Sequence, residues 1–310
     1  MTALSMDNII KVINKERKTA VFPIVCADHC AHLLNMDLAE VARDGVKLAR
    51  VLEFGYQLYQ YDMVLVFSDP YVEAQALGCP VKFSPAPTLL GPRSNKMLDR
   101  TDEIIKAAEI LKRKVDVPVF VSIKGPFSLA SFLTGMESFL KDLIAAPKKA
   151  EAVINQALEF QLSYLERLLK IGANIFLGDP VASSSVISPI LFERFAFKPL
   201  QILIEKIKEN GLIAGVHVCG ETKPIIPMLD ELGADILSIE DITPKTRTLK
   251  MGGVATDTIL SGNETRIKSE IKQARNEPYL ILATSCDVPA TTDSKNIKLM
   301  MELAHAENND

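Results

Sequence analysis

The chain has 310 residues, 48% of them hydrophobic and 24% charged, and its formal net charge is -4. That balance excludes a general electrostatic footprint for nucleic acid, and the basic runs 11–18 and 112–114 read as solvated helix faces. A chain this long buries a large core without disulfides.

No stretch of 18 or more apolar residues occurs, so no membrane helix is expected. The segment MTALSMDNIIKVINKERK has neither an uninterrupted apolar core nor a small-residue cleavage site. It is not a secretory signal, and a cytoplasmic location is expected. The five cysteines are Cys26, Cys30, Cys79, Cys219 and Cys286. An odd count argues against a disulfide framework and favours metal binding or catalysis.

Short apolar runs alternate with longer amphipathic segments. The first run, 21–25, leads into Cys26, Asp28 and His29. The second, 63–67, leads into Asp69 and Glu73. A Pro- and Gly-rich stretch at about 68–95 follows and is expected to lie as an insertion over one end of the fold. The third run, 117–123, reaches Lys124. A helix is predicted over 148–170, with Val153, Ala157, Phe160, Tyr164 and Leu168 at spacings of three and four. Run four, 173–177, reaches Asp179, and a helix over 191–210 ends at Gly211. Run five, 212–216, leads into His217 and Cys219, and run six, 236–239, into Glu240 and Asp241. Run seven, 252–255, reaches Asp257, and run eight, 279–283, reaches Cys286 and Asp287. Ser294 is the expected N-cap of a last helix, 294–304.

Runs rich in Val and Ile without period-two alternation are strands buried on both faces, as in a parallel sheet. Eight of them, each followed by helix, predict a single-domain (β/α)8 TIM barrel spanning 1–310. A doubly wound sheet is the alternative. The absence of a Gly-rich dinucleotide turn after the first strand weighs against it.

Barrel chemistry sits at the C-terminal ends of the strands. There His217-Val218-Cys219 forms an H-x-C whose first and third residues point the same way in an extended chain. Cys286 shares that barrel mouth. Two thiols and an imidazole suit zinc. Three protein ligands leave a fourth position open, as catalytic sites do. The competing explanation is ordinary: buried cysteines as small hydrophobes and a satisfied core histidine. A rival cluster, Cys26, His29, Cys30 and His32, fits no finger or ribbon spacing.

The stretches GVHVCGETKPIIPMLDELGADILSIED (215–241) and ILATSCDVPATTDSKNIKLMMELA (281–304) resemble the methylcobamide:coenzyme M methyltransferases. These belong to the uroporphyrinogen decarboxylase superfamily. YVEAQALGC (71–79) and GDPVASSSVISPILFERF (178–195) are similar to the same group. The resemblance covers most of the chain from about residue 61. It implies a TIM barrel with zinc on His217, Cys219 and Cys286. Glu73 and Asp179 match recurrent acidic positions of the superfamily and are expected at the mouth in the catalytic region.

The implied reaction is transfer of a methyl group from a methylated corrinoid to a zinc-activated thiol such as coenzyme M. The chain has no D-x-H-x-x-G motif, so a separate corrinoid carrier protein is the expected partner. A sulfonate acceptor wants a cation, and Lys124 and Lys223 are the candidates. Tetrahydrofolate is an alternative acceptor. A zinc-free decarboxylase of the same superfamily is a second alternative. Its tetrapyrrole carboxylates need the Arg-rich segment that follows the first strand in true decarboxylases, whereas this chain reads PIVCADHCAHL there, without Arg. A structural zinc in a binding module is a third; it predicts four protein ligands.

Overall fold

The computed structural model describes residues 8–84, 86–94 and 97–306. Ten strands occur among them: β1 (Thr19–Phe22), β2 (Val64–Val66), β3 (Val81–Lys82), β4 (Thr88–Leu89), β5 (Val119–Lys124), β6 (Asn174–Gly178), β7 (Ala214–Val218), β8 (Ile236–Ile239), β9 (Leu249–Val254) and β10 (Leu280–Thr284). Eight pair in parallel in the order β1-β10-β9-β8-β7-β6-β5-β2, and β3 and β4 form a separate antiparallel hairpin. The chain is a (β/α)8 barrel. All eight expected runs carry a barrel strand, because each strand is covered by the packed interior on one side and by helices on the other.

The seam between β1 and β2 has no continuous ladder of its own. Asp62 clasps it: its main-chain N–H donates to Val21 O at 2.9 Å, and its carboxylate accepts from Val21 N at 2.6 Å. Farther up, Ala27 N donates to Phe67 O at 3.3 Å.

Most boundaries shift by a few residues from the expected ones, and three differences have a local reason. β1 stops at Phe22 rather than running to 25, because Pro23 has no N–H for the ladder. Ile24 N turns instead to Thr284 Oγ1, at 2.9 Å. The helix expected over 191–210 is interrupted: Phe192–Phe197 is a π-turn, and the regular helix runs Lys198–Glu209. Pro199 has no N–H to offer the carbonyl four residues back, which relaxes the winding there. Ser294 begins the last helix, but Asp293 is its cap and accepts from Lys295 N at 2.9 Å.

The helix Pro147–Lys170 shows how the outer layer is held. It buries Ile154, Ala157, Leu158, Tyr164, Leu165 and Leu168 along one stripe, while Val153 and Phe160 sit half-buried at its margins. Each large apolar side chain removed from water contributes about 1.5–3 kcal/mol before entropy. Gln161 interrupts the stripe with a polar group that is fully buried, and its partner lies in the site.

Candidate metal centre

The parallel register stacks inward-facing residues in a row around the barrel. Lys124 of β5 pairs with Gly178 of β6, Gly178 with His217 of β7, and His217 with Ser238 of β8. Ser238 in turn pairs with Met251 of β9. All five residues line one cavity of ≈ 220 Å³ at the C-terminal end of the barrel. Phe67, Phe176, Leu65 and Ile24 give it apolar walls, and Cys26, Cys219, Cys286 and Asp287 also face it.

His217, Cys219 and Cys286 come together on its wall. His217 Nε2 lies 3.0 Å from Cys219 Sγ and 3.8 Å from Cys286 Sγ. The three ligand atoms all fall within 4.8 Å of one another, and among the described residues no other group of His, Cys, Asp or Glu converges in this way. His217 Nδ1 is 2.9 Å from Ser238 Oγ, which holds the ring with Nε2 toward the sulfurs. A hydrogen bond from Cys286 lowers the Cys219 thiol, and that same bond, together with burial, raises Cys286. Cys286 Sγ also lies 3.1 Å from Asp287 Oδ1. The donor set, its mutual distances and the orientation of the imidazole fit a soft, four-coordinate ion such as zinc.

The local chain explains the convergence. His217 is near the end of β7, and Gly220 turns the chain away with φ +66°. A side chain at 220 would also press on Ser185 Oγ, 2.6 Å from an ideal Cβ. Thr284 steadies the far side: it accepts from Ile24 N and donates to Cys286 O at 2.7 Å.

Glu73 and Asp179 are buried beside this cavity rather than among the thiols. Glu73 Oε1 accepts from the main-chain N of Lys124 at 2.7 Å, and burial pushes its carboxyl up. Asp179 Oδ1 accepts from Ser128 N at 2.7 Å, in the first turn of helix Pro126–Thr134. Burial raises the Asp179 carboxyl to about 6, against the lowering effect of Ser128. Its main-chain N–H donates to His217 O at 2.9 Å, so Asp179 is tied to β7 through the backbone. Gln161 Nε2 donates to Lys124 O from below. A Cβ at Gly125 would collide with the Asp179 carboxylate. Gly125→Ala is therefore expected to lose about 1–3 kcal/mol of stability, read as a lower denaturant midpoint at unchanged slope.

The remaining expected site residues fall elsewhere. Glu240 accepts from Gly220 N at 2.6 Å and braces the turn after Cys219. Asp257 pairs on the surface with Arg266. The segment Cys26 to His32 does not assemble a cluster. The helix Ala27–Leu33 sends His29 to Tyr59 OH at 2.8 Å, packs Cys30 against Gly55 and leaves His32 exposed. Sequence reasoning missed Ser238, although a lone Ser in the apolar run ILSI was the available signal. It also missed Arg100, which is 2% exposed and bonds Asp69 through both Nη atoms, at 2.7 and 3.1 Å.

No helix among the described residues is long and apolar enough to cross a membrane. The family model for uroporphyrinogen decarboxylase matches residues 4–307. A methylcobamide:CoM methyltransferase of Methanosarcina mazei is 25% identical, covering 91% of this chain and 92% of the relative. One from Methanosarcina barkeri is 26% identical over 82% of each. A uroporphyrinogen decarboxylase of Anaeromyxobacter is 22% identical over 88% of each. A solved methyltransferase from Methanosarcina mazei superposes with a TM-score of 0.86 at 22% identity, covering 97% of this chain and 98% of that one. That likeness speaks for the fold.

Proposed function

Since the chain belongs to the uroporphyrinogen decarboxylase family, we propose that it is the methyl-transferring kind of member, moving a methyl group from a methylated corrinoid to the sulfur of a small thiol such as coenzyme M. The observation that carries this reading is the His217–Cys219–Cys286 cluster on the wall of an apolar cavity. A decarboxylase has no use for two converging thiols. The helix Ala27–Leu33 and the loop before it offer no arginine to tetrapyrrole carboxylates. The relatives named for methylcobamide and CoM point the same way.

Zinc, when bound by His217, Cys219 and Cys286, supplies the positive charge that keeps an adjacent sulfur deprotonated near neutral pH. The protein supplies the rest. Ser238 holds the His217 ring in place. Phe67, Phe176 and Leu65 exclude water from the path of the methyl group. The acceptor loses its proton to solvent, its sulfur forms the new S–C bond, and the Co–C bond breaks with its electron pair left on cobalt. The donor sits over the open mouth of this cavity, presented by a separate carrier protein, with Pro70 of the 68–95 stretch among the lining residues.

The test is zinc-loaded protein mixed with methylcobalamin and either 2-mercaptoethanesulfonate or tetrahydrofolate. Loss of the methylcobalamin spectrum and appearance of the S-methyl product are expected with the thiol. Turnover with folate and none with any thiol would overturn the reading.

A further inference from the structure

Cys219 lies just beyond the sheet. β7 ends at Val218, and its ladder with β6 ends one residue earlier, at Gly178 and His217. A thiol on a loose turn has to be ordered by its ligand, and that ordering subtracts from the affinity. Here the turn is held from both neighbouring strands before anything binds.

From the β8 side, Glu240 Oε1 accepts from Gly220 N at 2.6 Å. From the β6 side, Ser185 Oγ accepts from Glu221 N at 2.8 Å. The two main-chain N–H groups that follow Cys219 are thus each taken by a side chain from a different neighbour. The loop after β6 grips the turn a second time. Ser184 N and Ser183 Oγ both donate to Glu221 O, at 2.9 and 3.2 Å. Ser183 Oγ also accepts from Ser185 N at 3.1 Å, which steadies the Ser185 grip. Because Asp179 N donates to His217 O, this one loop ties the chain on both sides of Cys219. Glu221 Oε1 accepts from Lys223 N at 2.7 Å and closes the turn, while the Lys223 side chain is exposed and does not line the cavity.

Ser185 and Glu240 are themselves exposed, and neither lines the cavity or joins the cluster of His217, Cys219 and Cys286. Exposed side chains of this kind contribute little to global stability. What these two contribute is local, in the shape of the turn.

We propose that Ser185 and Glu240 are positioning residues for Cys219, holding its turn in ligating shape before any metal arrives. This rests on the proposed metal centre for what Cys219 binds, whereas the clamp is read without metal.

Metal-free wild type, Ser185→Ala, Ser185→Thr, Glu240→Ala and Glu240→Gln are compared by amide hydrogen exchange resolved to single residues of the turn. Exchange at Glu221 is expected to rise about tenfold in Ser185→Ala, and at Gly220 about tenfold or more in Glu240→Ala. The Thr and Gln variants keep an acceptor and should exchange like wild type. Zinc affinity, read by competition with a chromophoric chelator, is expected to fall ~10-fold in each alanine variant and to recover in Ser185→Thr and Glu240→Gln. The denaturant midpoint of the metal-free protein should stay at the wild-type value throughout. Unchanged exchange in both alanine variants overturns the proposal, and so does wild-type zinc affinity in both. A loss of affinity matched by an equal fall in the stability of the metal-free protein would mean a merely structural tie and also overturns it. If wild type binds no zinc, the metal centre fails, while faster exchange in the alanine variants leaves Ser185 and Glu240 as the residues that hold the turn.

Discussion

Cys219→Ser protein, purified and dialysed beside wild type, is expected to retain less than a tenth of the wild-type zinc. The cluster offers three ligands within 4.8 Å, so loss of one thiol leaves an imidazole and a single sulfur. Removing merely a hydrogen-bonding partner of a ligand costs about 10–100-fold in metal affinity, and removing the ligand itself exceeds that. Ser238→Ala is the graded control. It frees His217 Nδ1, at 2.9 Å from the serine oxygen, without touching a ligand, and falls within that range. Thiol methylation should follow metal content in both proteins. Zinc content unchanged in Cys219→Ser would remove the metal centre and the chemistry proposed on it. A four-ligand structural site is the competing case. It predicts no thiol-dependent change in the spectrum of cobalt-substituted protein, whereas an open position predicts one.

The second large effect is on stability. Arg100→Met leaves the Asp69 carboxylate buried without its cation, and a loss of about 3–5 kcal/mol is expected. Arg100 reaches Asp69, Gln75 Oε1 at 2.7 Å and Ala42 O at 3.1 Å, and lies over the Phe83 ring at 5.2 Å. It thus pins the loop and helix Val72–Ala76 that present Glu73 to Lys124. Guanidinium unfolding of the variant measures the loss. A loss below about 1 kcal/mol, the worth of an exposed pair, would show that the ion pair does not hold this loop. Replacing Asp69 and Arg100 together by apolar residues of similar volume should recover much of the loss, because the destabilisation comes from the orphaned charge rather than from a missing attraction.

The barrel was legible because its strands are short, apolar and buried on both sides, so composition alone marks them. His217 and Cys219 were legible because two residues on one strand share a face. Partner choice across the sheet was not. Which residue sits beside Lys124 is decided by register between strands distant in sequence, and nothing local in either strand states it. Ser238 and Gly178 acquire their meaning only in that row. Arg100 was invisible for a related reason: it looks like any polar residue ahead of a helix until the chain folds Asp69 and Gln75 around it. The Cys26 to His32 cluster failed in the opposite direction. Closeness along the chain suggested a site, but helical geometry pointed its members to different surroundings.

The order of the strands in the wall also bears on how this protein is made. β1 leaves the ribosome first among the strands, yet the partner it ladders with is β10, and Ile24 bonds Thr284 across 260 positions. Cys286 follows His217 by 69 positions and is carried just past β10. A nascent chain therefore exposes its first thiol and imidazole long before the third ligand exists. The centre cannot form in stages as the polypeptide emerges. On the proposed metal centre, capture with full affinity would come only after the ring has shut, so loading would be a late event in biogenesis, coupled to completion of the barrel.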